Sequence, residues 1–190
     1  MAHSAEEEVA RDFLCFGGAD GAVVVCDATC LERNLNLVLQ TLELQPRTVV
    51  CVNLLDEAER KGVRVELEAL SRRLGVPVVG AAAGRGEGLE ALMEAVEGVI
   101  SAPEPPTPVP VRYPPPVEFA VASLRPLLEP RLRGRLPARW TALRLLEGDG
   151  AFLDRLSAAL EWDPRADAAL WGAVEEARAD LERQGLGGGA

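Results

Sequence analysis

Thr48-Val49-Val50-Cys51-Val52-Asn53-Leu54-Leu55-Asp56 is an apolar run that ends in a polar turn. With no polar alternation inside it, Thr48–Val52 reads as a strand buried on both faces of a sheet and finishing at Asn53. Upstream, Ala22-Val23-Val24-Val25-Cys26 has the same doubly buried character and stops at Asp27; downstream, Pro77-Val78-Val79-Gly80 is a shorter third run. Helical rhythm fills the intervals. Thr29-Cys30-Leu31-Glu32 has capping-box form and opens a helix carried by Leu31, Leu35, Val38, Leu39 and Leu42, which Pro46 breaks. Leu67, Leu70 and Leu74 lead to Gly75, a natural C-cap, and Leu89, Leu92, Met93 and Val96 make a closing helix. Before the first strand, Ser4 to Glu7 is another capping box, opening a helix over about 5–16 with Val9, Phe13, Leu14 and Phe16 as its apolar face. Alternation of strand and helix predicts an α/β fold, a parallel sheet of about three strands with flanking helices.

Half of the residues from Ser101 to Pro116 are proline. This stretch reads as a semi-rigid linker over 101–116, with a reach of up to roughly 50 Å at ~3.1 Å per residue. Beyond it, 117–184 is helical only. Pro137-Ala138-Arg139-Trp140 opens one helix that Gly148 ends, and Leu153, Leu156 and Leu160, then Leu170, Trp171, Val174 and Leu181, mark two more. Residues 185–190 read as a flexible tail.

Composition removes several chemistries. The chain has 190 residues and 20 Lys+Arg, of which Lys61 is the single lysine. A G-x-x-x-x-G-K-[ST] phosphate loop needs a lysine between glycine and Ser or Thr, whereas Lys61 lies between Arg60 and Gly62. The one histidine, His3, excludes an H-E-x-x-H zinc site and a His-activated nucleophile. A net charge of −10 argues against nucleic acid as a partner. No run approaches the roughly 20 apolar residues of a membrane span, and nothing at the start has the form of a signal peptide. Cys15, Cys26, Cys30 and Cys51 show no C-x-x-C spacing, and three of them lie in apolar runs, so they read as buried free thiols. Arg131, Arg133, Arg135, Arg139 and Arg144 form a local basic cluster, either a solvated helix face or a contact for a membrane surface.

Ligands of open α/β sheets bind beyond the carboxyl ends of the strands. Three signals fall there: Asp27-Ala28-Thr29, Asn53-Leu54-Leu55-Asp56 and Ala82-Ala83-Gly84. In the middle one, N-x-x-D sets an amide and a carboxylate on one turn. A fixed carboxylate accepts two parallel hydrogen bonds from the N1–H and N2 amino group of guanine, a donor pair adenine lacks, and such a contact discriminates by roughly 1–3 kcal/mol. The plain alternative is an Asn that ends a strand and an Asp that caps the next helix.

From Ala2 to Val96 the chain resembles the guanine-nucleotide domain of the ferrous iron transport protein B family. The residues that carry the likeness are His3-Ser4-Ala5-Glu6-Glu7-Glu8-Val9-Ala10-Arg11-Asp12-Phe13-Leu14, Val25-Cys26-Asp27-Ala28-Thr29-Cys30-Leu31-Glu32-Arg33-Asn34-Leu35, and Asn53-Leu54-Leu55-Asp56-Glu57-Ala58 with Gly86-Glu87-Gly88. Pro137-Ala138-Arg139-Trp140 and Leu145-Leu146-Glu147-Gly148-Asp149 resemble the helical domain that follows in that family. The fold so implied is a partial P-loop-GTPase-like parallel sheet over 1–100, the C-terminal part of a GTPase domain, followed by a small all-α domain that regulates GDP release.

By this resemblance Asn53 and Asp56 are the guanine-specificity pair, with Leu54 and Leu55 on the turn between them. Ala82-Ala83-Gly84 takes the family's S-A-[KR] position, where a backbone N–H, here that of Ala83, meets the base oxygen. Ala82 stands for the usual Ser and Gly84 for the basic residue, so the loop lacks its bracing hydroxyl and base binding is expected to be weaker. In the family the phosphate loop, the switch threonine and the D-x-P-G motif precede the part matched at Ala2, and this chain is expected to lack them. Four hydrogen bonds to charged phosphate, at roughly 1.5–3 kcal/mol each, sum to roughly 6–12 kcal/mol, most of a micromolar binding energy.

The expectation is therefore a truncated cytoplasmic portion of a ferrous iron transporter. It would hold GTP or GDP weakly through the guanine moiety, take Mg²⁺ only if the missing segment is supplied, and not hydrolyse GTP alone. Its implied partners are the missing N-terminal half and the transporter's membrane domain, at the cytoplasmic face of the inner membrane. The alternative is a non-hydrolysing interaction module that pairs with a separate GTPase half or with that membrane domain. Either way the first strand would lack a neighbour, which predicts marginal stability or self-association.

Overall fold

The computed structural model describes residues 5–186, with side chains from residue 9 on. His3, the Ser4 to Glu7 capping box and the tail from 187 on lie outside that description. Contacts divide the chain into two units. One is Gly17–Val111, and the other joins helix α1 (Ala5–Phe16) to the chain from Arg112 onward.

In the sheet unit, β1 (Ala22–Asp27), β2 (Thr48–Asn53) and β3 (Val78–Gly80) form a parallel sheet of order β1-β2-β3. The register sets Asp27 beside Asn53 and Val52 beside Gly80, so all three strand ends reach one edge. Helix α2 (Leu31–Leu44) packs on β1 and β2, and α4 (Leu67–Leu74) packs on β3. Val24, Cys26, Val38, Leu42, Val50 and Val52 fill the core on that side. Each fully buried valine there contributes about 1.5–3 kcal/mol. Helix α5 (Leu89–Ser101) covers the other face of β2 and β3. The guanidinium of Arg47 donates to the carbonyls of Val99, Ile100 and Ala102, closing the α5 C-terminus.

β2 is buried along its apolar length, as its composition implies, but β1 is not doubly buried. Val23 and Val25 remain 42% and 57% exposed. β1 is the sheet's edge, and α5 lies over β2 and β3 and leaves the matching face of β1 open. The Thr29 to Glu32 capping box does not form either. Cys30 is the N-cap of α2, with no side-chain cap, and the turn before it is closed by the Asp27 carboxylate accepting from the Thr29 N–H at 2.7 Å. The proline run is less free than expected: Val109 N–H donates to Leu74 O at 2.9 Å, and the backbone of Thr107 and Pro108 lies against Gly75.

The helical unit contains α6 (Pro115–Leu132), α7 (Ala138–Glu147), α8 (Gly150–Leu160) and α9 (Ala168–Arg183). α6 begins inside the proline run, with Pro at its first positions, where no N–H is needed. Phe152 is its fully buried centre, edge-on to Trp140 at 5.2 Å and stacked with Phe16 of α1 at 6.5 Å. Arg11 pairs with Asp149 at 2.9 Å, and Asp12 with Arg155 at 2.9 Å. By its contacts α1 therefore groups with this unit. Its buried face carries Cys15, while Val9 and Phe13, assigned to the apolar face, point outward. Among the described residues no helix is long and apolar enough to cross a membrane.

Candidate functional site

Asn53 ends β2, and its side-chain Oδ1 accepts the Ala83 N–H at 3.0 Å. Leu54 then adopts a left-handed conformation, φ 64° and ψ 32°, which turns the chain within one residue from strand into helix α3 (Leu55–Arg60). A leucine there costs roughly 1–2 kcal/mol, and backbone hydrogen bonds across the turn hold it: Leu55 N–H to Ala81 O at 3.1 Å and Ala81 N–H to Val52 O at 2.8 Å. Gly80 leaves room for this packing, since a Cβ there would strike the side chains of Leu55 and Leu67. The turn after β2 and the loop after β3 are thus laced into one piece.

Asp56 sits in the first turn of α3 and caps nothing with its carboxylate. The plain reading of N-x-x-D, with Asp as a cap, therefore fails. Its Oδ2 lies 3.2 Å from Arg85 Nε and 3.9 Å from Arg60 Nη2, and the side chain is 19% exposed. Arg85 closes a 3₁₀ turn, Ala83–Arg85, and Ala82 N–H is bonded to Glu87 O at 3.1 Å. Gly88, at φ 81°, crosses so close to Gly80 that a Cβ would meet the Gly80 carbonyl.

The structure brings Asn53, Leu54, Leu55, Asp56, Ala82, Ala83 and Gly84 together but changes two of their expected roles. The Ala83 N–H is already donated to Asn53, so it is not free for a base oxygen. Gly84, exposed, has the next N–H in the chain, and it has no partner among the described residues. The basic side chain of the loop, missing at Gly84, is supplied one residue later by Arg85. A one-residue offset within Ala81-Ala82-Ala83-Gly84 leaves no trace in a run of small residues, though Arg85 itself was visible.

The remaining strand-end signal is structural. Asp27 is held below the usual carboxylate range, chiefly by the Thr29 backbone N–H, and its own N–H is taken by Asn34 Oδ1 at 2.9 Å. A groove of the sheet unit, about 820 Å³, is open and lined by Thr29, Arg33, Val65, Leu70 and Arg73 among others. Its lining includes neither Asn53 nor Asp56. The thiols are inert where buried: burial pushes Cys15 up to about 12 and Cys26 up to about 11. In the basic cluster, Arg131 pairs with Asp167 at 2.8 Å, Arg139 with Glu118 at 2.6 Å and Arg144 with Glu147 at 2.7 Å, and Arg135 donates to Ala159 O. These guanidiniums serve the helical unit's own packing.

A parallel sheet ending in an N-x-x-D turn laced to a backbone loop, joined to a helical unit, defines the G-domain class of α/β fold. Comparison with known proteins agrees with that class. The family model for ferrous iron transport protein B matches residues 1–96, and the model for the FeoB cytosolic helical domain matches 113–187. The chain belongs to the ferrous iron transport protein B family. It is 38% identical over 146 residues to the Fe(2+) transporter FeoB of Escherichia coli (strain K12), covering 77% of this chain and 18% of that protein. The FeoB of Salmonella typhimurium is 47% identical over 94 residues, covering 50% and 12%. The chain thus spans about a fifth of the length of the curated relatives it matches.

Among solved structures, the cytosolic domain of T. maritima FeoB in apo form superposes with a TM-score of 0.73 at 27% identity, covering 95% of this chain and 72% of that one. An S. thermophilus NFeoB mutant bound to mGDP gives 0.80 at 26%, covering 98% and 68%.

Proposed function

We propose that this chain carries the guanine-recognising part of a ferrous iron transporter's cytosolic nucleotide domain. Asp56 accepts the N1–H and N2 amino donors of guanine, Gly84 N–H donates to the base oxygen, and Asn53 holds the two loops at the spacing this requires. The single observation behind the assignment is the 3.0 Å bond from Ala83 N–H to Asn53 Oδ1, which makes the exposed Gly84 the next amide on the turn that also bears Arg85, Asp56's partner. Nucleotide-bound relatives, one with mGDP and one with GMPPNP, support guanine nucleotides as the ligand class. Leu54 and Leu55 shape the turn, and Ala82 anchors the loop.

No residue of this sequence is assigned to phosphate or Mg²⁺, because its lone lysine lies outside any phosphate-loop pattern. Base contacts alone give weak binding, and hydrolysis is not among this chain's own activities. The site works on the cytoplasmic side, a reading supported by the cytosolic domains among its relatives.

Amide NMR titration of the chain with guanosine tests the site. Guanosine should shift the Gly84 and Asp56 amides while adenosine leaves them in place, and Asp56→Asn should weaken guanosine about five- to 150-fold, the range of ~1–3 kcal/mol. Equal shifts with adenosine, or shifts confined to the groove around Arg33 and Arg73, overturn the assignment.

The open edge of β1 favours a second reading, in which the chain pairs with a separate GTPase half. Mixing it with a separately made phosphate-binding half of a family G domain should then give a one-to-one complex in sedimentation, and two unmixed species refute the reading.

A further inference from the structure

One oxygen of the carboxylate assigned to the base, Asp56 Oδ2, is occupied. Arg85 approaches Asp56 Oδ2 at 3.2 Å through Nε, and Arg60 stands 3.9 Å from the same oxygen. A guanidinium presents parallel N–H donors in a planar fork that matches a carboxylate. The Watson–Crick edge of guanine presents the same pattern to the same acceptor. With Arg85 on Oδ2, the base cannot take both oxygens of the carboxylate at once.

Arg85 also leaves easily. Its side chain is 58% exposed and makes no other ion pair among the described residues. It sits between Gly84 and Gly86, where a Cβ at either glycine would meet nothing within 4 Å, so its two chain neighbours are unpacked. Arg60 is different: it is tied to its own helix, with Nε donating to Asp56 O at 3.2 Å and Nη2 lying 3.9 Å from Glu57.

We infer that Arg85 is a built-in competitor of the guanine base, which closes the Asp56 carboxylate in the empty site and swings out when the base enters. This regulatory role rests on the guanine reading of the site. The loop that offers the Gly84 N–H thereby also supplies the group that opposes binding and favours release.

Guanosine is uncharged, so its affinity isolates the competition from any ionic effect of phosphate. By NMR titration of the whole chain, Arg85→Ala should bind guanosine about two- to five-fold more tightly than the parent, the scale of an exposed ion pair. Arg85→Lys, which keeps the charge but loses the fork, should tighten it less. Arg60→Ala should change nothing. Raising NaCl from about 50 to 500 mM should tighten guanosine binding to the parent and leave Arg85→Ala flat, because salt screens an exposed pair. Unchanged or weaker binding by Arg85→Ala, with Asp56→Asn still damaging, overturns the competitor and leaves the site standing. Binding indifferent to Asp56→Asn overturns both.

Discussion

Asn53→Ala removes the acceptor that joins the two loops of the site. The bond it deletes is 3.0 Å long and lies at the surface, so Ala83 N–H turns to water and no buried donor is stranded. The loss is then the net value of one hydrogen bond, about 0.5–1.5 kcal/mol. At RT near 0.59 kcal/mol that is about a two- to twelve-fold rise in the exchange rate of the Ala83 amide, if exchange proceeds by local opening. Hydrogen exchange followed by NMR reads that amide directly, without a global unfolding transition, which a chain of two units does not supply cleanly. Gly84 is the internal control: its N–H has no partner among the described residues and should exchange at the same rate in both proteins. Asn53→Asp keeps an acceptor and adds charge, so it should slow Ala83 exchange relative to the alanine variant. Unchanged Ala83 exchange in Asn53→Ala would show that the bond does not hold the loop, and the guanine site would lose its scaffold.

Val25→Lys, placing a charge on the open face of edge strand β1, should lower the self-association of the chain in sedimentation equilibrium. Phe152→Ala should lower the urea midpoint of the helical unit by an amount equivalent to about 3–5 kcal/mol, monitored by fluorescence, since all three tryptophans lie in that unit. Hydrogen bonding from Arg139 and the Tyr113 N–H holds Glu118 down to about 2 from 4.5, so its contribution to the folded state is complete above about 4.5 and is lost as pH falls through about 2. Glu118→Gln should flatten the fluorescence-detected stability of the helical unit across that window; an unaltered slope would refute the pairing.

Strand β2 was readable because it is surrounded on both faces, and Val49 to Val52 say so directly. β1 carries nearly the same letters, yet Val23 and Val25 are exposed, because apolar content records what a strand can bury and not which neighbours it has. Helix α1 shows the same limit: amphipathicity gives a helix, while only Phe16 against Phe152 and Arg11 with Asp149 tell which core it serves. At the site, Asn53 and Asp56 were legible as a polar pair on a turn. Which amide of the loop stays free was not legible, because Ala82, Ala83 and Gly84 differ only in which one the Asn53 side chain consumes, a matter of three-dimensional spacing. Arg85 stood in plain view, but its ion pair with Asp56 depends on the loop's curl.

The division of the chain at Phe16 and again at Val111 means that the backbone passes between the units twice. A protease cut in the proline run would therefore not release the helical unit, which stays leashed through Gly17 and Gly18. The second leash is short as well. With Val109 fastened to Leu74 and α6 starting at Pro115, its slack is about five residues, roughly 15 Å instead of 50 Å.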